Sequence, residues 1–240
     1  MKTSIKNLKK QAKETYHNQL SDLMVIQLLY SVGLNVVSLL SVTMGAYVAY
    51  GPLEYGLYKA NYMASQDEDV SAATLLDGFK YNFGDSFLVG LIRLLIKAVP
   101  KTLLFAHILV IIASIASTTI SLGWLSFEVS KSTLMLSYFV LVLLLVVDII
   151  SIVLRYAFEM AQYILIRNPG IEPLTALKAS GRLMKGHKFR LFRMKLSFIG
   201  WFLFALCTAS LSNIYSGPYM TAAKIQMFNE IYENNLKAQL

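Results

Sequence analysis

The sequence predicts an all-α, polytopic membrane protein: about six transmembrane helices paired as three helical hairpins, each preceded by a cytoplasmic amphipathic helix. Three observations lead there. The 240 residues are 56% hydrophobic and only 15% charged, too apolar for an ordinary soluble domain. The runs Leu23–Leu53, Thr102–Phe127 and Leu196–Ala223 contain no Asp, Glu, Lys or Arg. Each exceeds the roughly 20 residues a helix needs to cross a hydrocarbon core of about 30 Å. Lastly, Lys178–Lys195 carries seven basic residues (Lys178, Arg182, Lys185, Lys188, Arg190, Arg193 and Lys195) and no acid, and it abuts the third apolar run. That contrast marks a cytoplasmic flank.

The elements follow in chain order. Lys2, Lys6, Lys9, Lys10 and Lys13 put the N-terminal segment on the cytoplasmic side. Within Ser4–Tyr16, Ile5, Leu8, Ala12 and Tyr16 share a helical face and the lysines take the rest. The mostly polar start and the length of the first apolar run are unlike a cleaved signal peptide. Leu23–Ser65 then offers 43 residues with only Glu54 and Lys59 charged, enough for a hairpin whose second arm is kinked at Gly51-Pro52. Ser71 is a candidate N-cap for a helix through Leu75, Leu76 and Phe79.

Arg93, Lys97 and Lys101 stand one turn apart on one face. Holding all three at the bilayer centre would cost about 8 to 10 kcal/mol. Phe87–Val99 therefore reads as an interfacial helix, with Pro100 breaking it from the span that begins at Thr102. Ser132–Leu154 crosses back, apart from one acid, Asp148. Pro173 suits the first turn of the next surface helix, with Leu174, Leu177 and Met184 opposite Lys178, Arg182 and Lys185. A last hairpin covers Phe192–Ala223, its second arm more polar than the others.

Parity supports this count. Two cytoplasmic basic clusters must be separated by an even number of crossings, so the first apolar run crosses twice. Residues 1–240 then form one membrane domain of repeat-like units 4–65, 71–166 and 173–232. Gly51-Pro52 followed by Tyr55 and Ala60 echoes Gly217-Pro218 followed by Tyr219 and Ala222. Coincidence in an apolar chain is the competing reading of those echoes.

Further residues identify a family. Gly51-Pro52-Leu53 with Gly56-Leu57 and Leu76-Asp77-Gly78-Phe79 recur first. Next come Tyr156-Ala-Phe-Glu-Met-Ala-Gln-Tyr163, Asn168-Pro169, Ser180-Gly-Arg-Leu-Met-Lys-Gly-His-Lys188 and Leu196-Ser-Phe-Ile-Gly-Trp201. Pro218-Tyr219 and Ile231-Tyr232 close the set. Over nearly its whole length the chain resembles domain-of-unknown-function family 975. The resemblance implies a bacterial plasma-membrane protein of the Gram-positive type, with no substrate or catalytic residue to carry over. Such proteins usually have a Pro-Gly break before the segment matching Tyr156–Tyr163, and Ile149–Arg155 has neither residue here.

The candidate site residues each have a plain structural alternative. Asp148 is an intramembrane carboxylate, a proton or ion site by default, but a structural pair with Arg155 is the favoured reading. His187, among cations at the membrane–water junction, has no Ser, Asp or Cys partner at a catalytic spacing, so anchoring is favoured over general-base work. Gly186 reads as the hinge from surface helix to span. Neither GxxxxGK[ST] nor GxGxxG occurs, and the isolated His17, His107 and Cys207 build no metal site, so no cofactor is expected. Basic residues beside apolar runs read as contacts to the anionic inner leaflet rather than to nucleic acid. The expected role is non-enzymatic: a membrane interaction, lipid-organising or accessory, immunity-like protein, with lipids and possible membrane proteins as partners. The alternative is a small transporter or channel working at the repeat interface, and an intramembrane enzyme ranks third.

Overall fold

The computed structural model describes residues 3–40, 44–119, 131–207 and 213–237, and among these every regular element is helical. The chain divides into two compact units, one of residues 1–92 with 156–240 and the other of residues 93–155. This division falls at other places than the three repeat-like units.

The first unit opens with α1 (Ile5–Leu40), which bends where Gln19 leaves helical geometry at φ −128° and ψ 23°. Before the bend, Leu8 and Ala12 are buried while Lys6, Lys10 and Lys13 are exposed. After it, Gln19–Val37 is long and apolar enough to cross a membrane. α2 (Met44–Ser65) lies in the core, with Leu53, Leu57, Tyr58, Ala60 and Ala64 all buried. Two of its tyrosines are packing residues: Tyr58 is 2% exposed and Tyr55 8%.

α2 continues as one helix through Pro52. Gly51 permits a close crossing. A Cβ there would stand 2.2 Å from the Ser86 carbonyl oxygen, and one on Gly90 would stand 2.2 Å from Gly51 Cα. Two helix backbones touch at this point, which only glycines allow.

Ser71 does precede a helix, but a short 3-10 turn (Ala72–Leu76) that passes into α3 (Asp77–Lys80). Of the residues expected on its apolar face, Leu75 is buried and Leu76 and Phe79 are exposed. α4 (Phe83–Thr119) carries a second correction. Pro100 lies inside it and does not break it from the downstream span. A proline removes one ladder bond and crowds the carbonyl four residues before it, which membrane helices tolerate, and the long apolar stretch beyond it keeps the helix going. Arg93, Lys97 and Lys101 therefore belong to the same helix as the span. Phe83–Ile112 is 30 residues long, about 45 Å at 1.5 Å per residue, and the three cations fall in its middle third.

α5 (Lys131–Ala157) follows, and Met135–Arg167 is the third stretch long and apolar enough to cross. The chain turns at Phe158–Met160, a few residues after the Ile149–Arg155 segment that lacks Pro and Gly, and continues as α6 (Ala161–Arg167). α7 (Pro173–Leu183) begins at Pro173 as expected, with Leu177 and Met184 buried but Leu174 exposed. α8 (Lys188–Leu196), α9 (Ile199–Cys207) and α10 (Asn213–Lys237) complete the first unit. Pro218 lies inside an unbroken α10, so this Gly-Pro pair, too, makes no break. α1 packs on α2 and α10, α2 on α6 and α10, and α6 on α7.

Contacts along these helices run in antiparallel register. Gln19 Nε2 donates to the Glu68 carbonyl at 2.9 Å, and Gly33 approaches the Leu53 side chain. On the other side, the Trp201 ring meets Tyr215 and Phe198 meets Tyr219, while Lys195 and Lys224 share Glu159 and Arg190 pairs with Glu230.

Candidate functional site, a buried ionic core with a basic rim

The turn between α5 and α6 places Glu159 in the interior, 8% exposed. Lys195 of α8 donates to its Oε1 at 2.9 Å and Lys224 of α10 stands 3.5 Å from the same oxygen. Lys224 Nζ also donates to the Tyr58 hydroxyl of α2 at 2.8 Å. One carboxylate thus ties α8 and α10 to the α5–α6 turn, and Lys224 extends the tie to α2. A buried charge survives only with such partners.

Three residues on, Gln162 is fully buried and its Nε2 donates to the Gly51 and Ser86 carbonyls at 3.3 and 3.1 Å. This amide reads the glycine crossing directly, joining α6 to α2 and α4. Tyr163 donates to Asn229 Oδ1, and its ring is edge-on to Tyr62 and Tyr232 and tilted on Phe228. Arg167 donates to the Tyr62 hydroxyl at 2.9 Å and lies over the Tyr232 ring.

α2 and α10 contribute equivalent positions to this core. Tyr58 and Lys224 are each six residues beyond the helix proline, and Tyr62 and Phe228 are each ten beyond it. The first pair bonds to each other and the second pair flanks Tyr163.

The rim is built differently. Gly186, at φ +82°, stands in the turn between α7 and α8. His187 stands at the N-cap of α8, its N–H donating to the Met184 carbonyl at 3.0 Å. Lys178, Arg182, Lys185 and Arg193 are exposed. Apolar Leu174, Phe189, Phe192, Leu196 and Ile199 are exposed among or beside them. Two of the seven expected lipid contacts are engaged internally instead: Lys195 on Glu159, and Arg190 on Glu230 at 2.6 Å. Arg190 also donates to the Thr3 carbonyl at 2.7 Å, while Thr3 N–H donates to Glu230, so the N-terminal segment is clamped to α8 and α10. Burial of the Glu230 carboxyl raises its pKa, but the bonds from Arg190 and Thr3 outweigh this and leave it below the ordinary glutamate value.

The remaining expected sites are scattered. Asp148 and Arg155 do not pair. Asp148 Oδ1 accepts from Ser151 Oγ at 3.3 Å, and Arg155 Nε makes no hydrogen bond. Ser151, one turn from Asp148, reaches it without the longer swing Arg155 would need. Gly217 abuts the Gln27 side chain, where an added Cβ would stand 2.8 Å from Gln27 Cδ. There α1, α9 and α10 enclose a cavity of about 220 Å³ lined by Gln27, Ser31, Trp201 and Ser216, and Gln27 Oε1 has no partner. His107 Nε2 lies 2.9 Å from the Ser137 carbonyl oxygen. The side chains of Tyr16, His17 and Cys207 lie outside the described residues.

Sequence reasoning missed Glu159 and Lys224 as partners. A signal existed in that Glu159 is the only acid of Tyr156–Arg167 and Lys224 ends the charge-free run from Leu196.

Among the described residues, fold and site together define an all-helical protein with three helices long and apolar enough to cross a membrane, built around a buried ionic core. The chain belongs to the family described as "Protein of unknown function (DUF975)", whose model matches residues 1–235. Comparison with curated proteins and with solved structures found no match. Several residues of the segments that carry the resemblance are buried. Glu159, Gln162, Tyr163, Ser180, Met184 and Phe198 are all interior, and Ser180 donates to the Ala157 carbonyl at 2.7 Å. They specify packing.

Proposed function

We propose that this chain is a multi-pass bacterial plasma-membrane protein, both termini cytoplasmic, whose role is non-enzymatic. Its basic rim grips the anionic inner leaflet, and it organises lipid or serves as an accessory, immunity-like partner of another membrane protein. One observation carries this reading: exposed Lys178, Arg182, Lys185 and Arg193 share α7, α8 and the turn between them with exposed Leu174, Phe189, Phe192 and Leu196. Cations beside bulky apolar side chains suit the headgroup–acyl boundary and are costly in plain water.

The six-crossing arrangement remains the preferred one. Antiparallel register between Gln19 and Glu68, and between Arg190 and Glu230, supports hairpins in the first and last units. Because Lys195 and Lys224 share Glu159, one of their two charges is offset there, and the last pair of arms need not stop at Leu196 and Ala223. The equivalent positions of Tyr58 and Lys224, and of Tyr62 and Phe228, favour repeat over coincidence.

The test is the lipid around the protein. In nanodiscs of phosphatidylcholine with graded phosphatidylglycerol, the boundary lipid should be enriched in phosphatidylglycerol. Lys178→Ala/Arg182→Ala/Lys185→Ala should lose that enrichment. Equal enrichment in the variant, or none in the wild type, contradicts the reading.

A second reading, a small transporter or channel, draws on the cavity containing unpartnered Gln27 Oε1 within the first apolar helix. Solute or ion flux in proteoliposomes that is abolished by Gln27→Leu would favour it.

A further inference from the structure

A groove of about 580 Å³ opens between the start of α1 and the α7–α8 turn, lined by Thr3, Ser4, Lys6, Gly186, Phe189, Arg190 and Arg193. We infer that it binds a phosphate group, as borne by an anionic lipid headgroup or by free phosphate. The inference rests on the anionic-lipid reading above and sharpens it from a surface to a site.

Three features carry it. Lys6 and Arg193 line the groove, and among the described residues neither forms an ion pair. Two such cations from distant parts of the chain repel each other, and an anion between them removes that cost. Arg190 adds a prearranged guanidinium. It spends three N–H donors on Glu230 and the Thr3 carbonyl, which leaves two of an arginine's five for a ligand. Its clamp fixes the orientation, so little side-chain entropy is lost on binding.

The walls complete the match to an amphiphile. Phe189 is 70% exposed on one side and stacks on Phe192, 42% exposed, with centroids 6.1 Å apart. A phosphodiester in the groove would place its acyl chains along those rings, and the groove's volume lies in the range of small-molecule sites. Gly186 adds no side chain at the groove, and a Cβ added to it would meet nothing within 4 Å. The other exposed cations of the rim, Lys178, Arg182 and Lys185, do not line it.

The test is retention of lipid by the purified full chain, read by native mass spectrometry after exchange into phosphatidylcholine with trace phosphatidylglycerol. Wild type should keep one phosphatidylglycerol under conditions that strip phosphatidylcholine. Lys6→Gln/Arg193→Gln should lower that occupancy at least tenfold with an unchanged melting temperature. Lys178→Ala/Arg182→Ala/Lys185→Ala should keep the single lipid while losing broad enrichment around the protein. If the rim variant loses the retained lipid and the groove variant keeps it, the groove is overturned and the surface reading stands. If no protein prefers phosphatidylglycerol and none binds phosphate, both fall. A parallel titration with inorganic phosphate separates the sources. Displacement of the lipid at millimolar phosphate, dependent on Lys6 and Arg193, assigns the site to the free anion, and resistance assigns it to the headgroup. Should the double variant misfold, Phe189→Asp tests the same groove by repulsion, with loss of the retained lipid expected and its persistence contradicting the site.

Discussion

Residues 93–155 and the remainder of the chain solve the same problem, holding helices together, in opposite ways. In the larger unit a tied set of polar groups occupies the interior: Glu159 with Lys195 and Lys224, Gln162 on two carbonyls, Tyr163 on Asn229. In 93–155 the described helices carry apolar side chains outward, with Phe105, Met135 and Phe139 each at least 64% exposed. The polar contact described between them joins His107 to Ser137. Water would not tolerate such a surface. Lipid would, and in lipid the hydrophobic effect no longer drives helices together. The larger unit is specified by particular partners, and the smaller by general apolarity.

That comparison can be broken at its strongest point first. Glu159→Gln leaves two lysines facing each other in the core, and it should cost about 3 to 5 kcal/mol. In detergent this appears as a large drop in melting temperature. Phe139→Ala, on the exposed apolar surface, should move it far less, and equal losses would erase the distinction.

Next in size is the converse substitution. Leu143 is 52% exposed near the middle of α5. Leu143→Lys should raise the apparent insertion cost of that helix by about 2.5 to 3.5 kcal/mol, measured as lost membrane integration during synthesis. Integration at the wild-type level would mean the position faces water.

Gly51→Ala comes third. The added methyl must push against the Ser86 carbonyl, 2.2 Å away, at about 1 to 3 kcal/mol. Gly84→Ala, with nothing within 4 Å, should be neutral or slightly stabilising. Parity between the two would mean that the close crossing is not formed.

The smallest effect concerns pH. Glu230 has a lowered folded pKa, so its bond to Arg190 stabilises fully above the ordinary glutamate value of about 4.3 and is lost as pH falls through the lower folded value. Proteolysis within the first residues should accelerate over that acid window. In Glu230→Gln it should be fast at neutral pH already and change little with acid.

How much of this was legible in the sequence depends on the length scale of the signal. Helices, apolar runs and the start at Pro173 are written in local composition, and each was readable. The Ile5, Leu8 and Ala12 face was readable for the same reason. Pro100 misled because a single residue's preference was weighed above the apolar stretch that carries the helix past it. Asp148 drew attention as a lone acid, yet a serine one turn away satisfies it. Glu159 was hidden because its partners, Lys195 and Lys224, are brought to it only by the fold, across 36 and 65 residues of chain. The seven-residue basic cluster was visible as a whole. Which of its members were spent on internal acids was not, since Glu159 and Glu230 lie outside it.

The central claim is that the basic rim faces the inner leaflet, and accessibility of single cysteines tests it most directly. In a Cys207→Ala background the sites are Gln66 and Thr175, both exposed, with Ser126 between the two central helices. Ser180 is unsuitable because it is buried against the Ala157 carbonyl. The account expects Gln66→Cys and Thr175→Cys to label only from the cytoplasmic side and Ser126→Cys only from outside. Labelling of Thr175→Cys from outside would put the rim on the wrong leaflet and contradict the account.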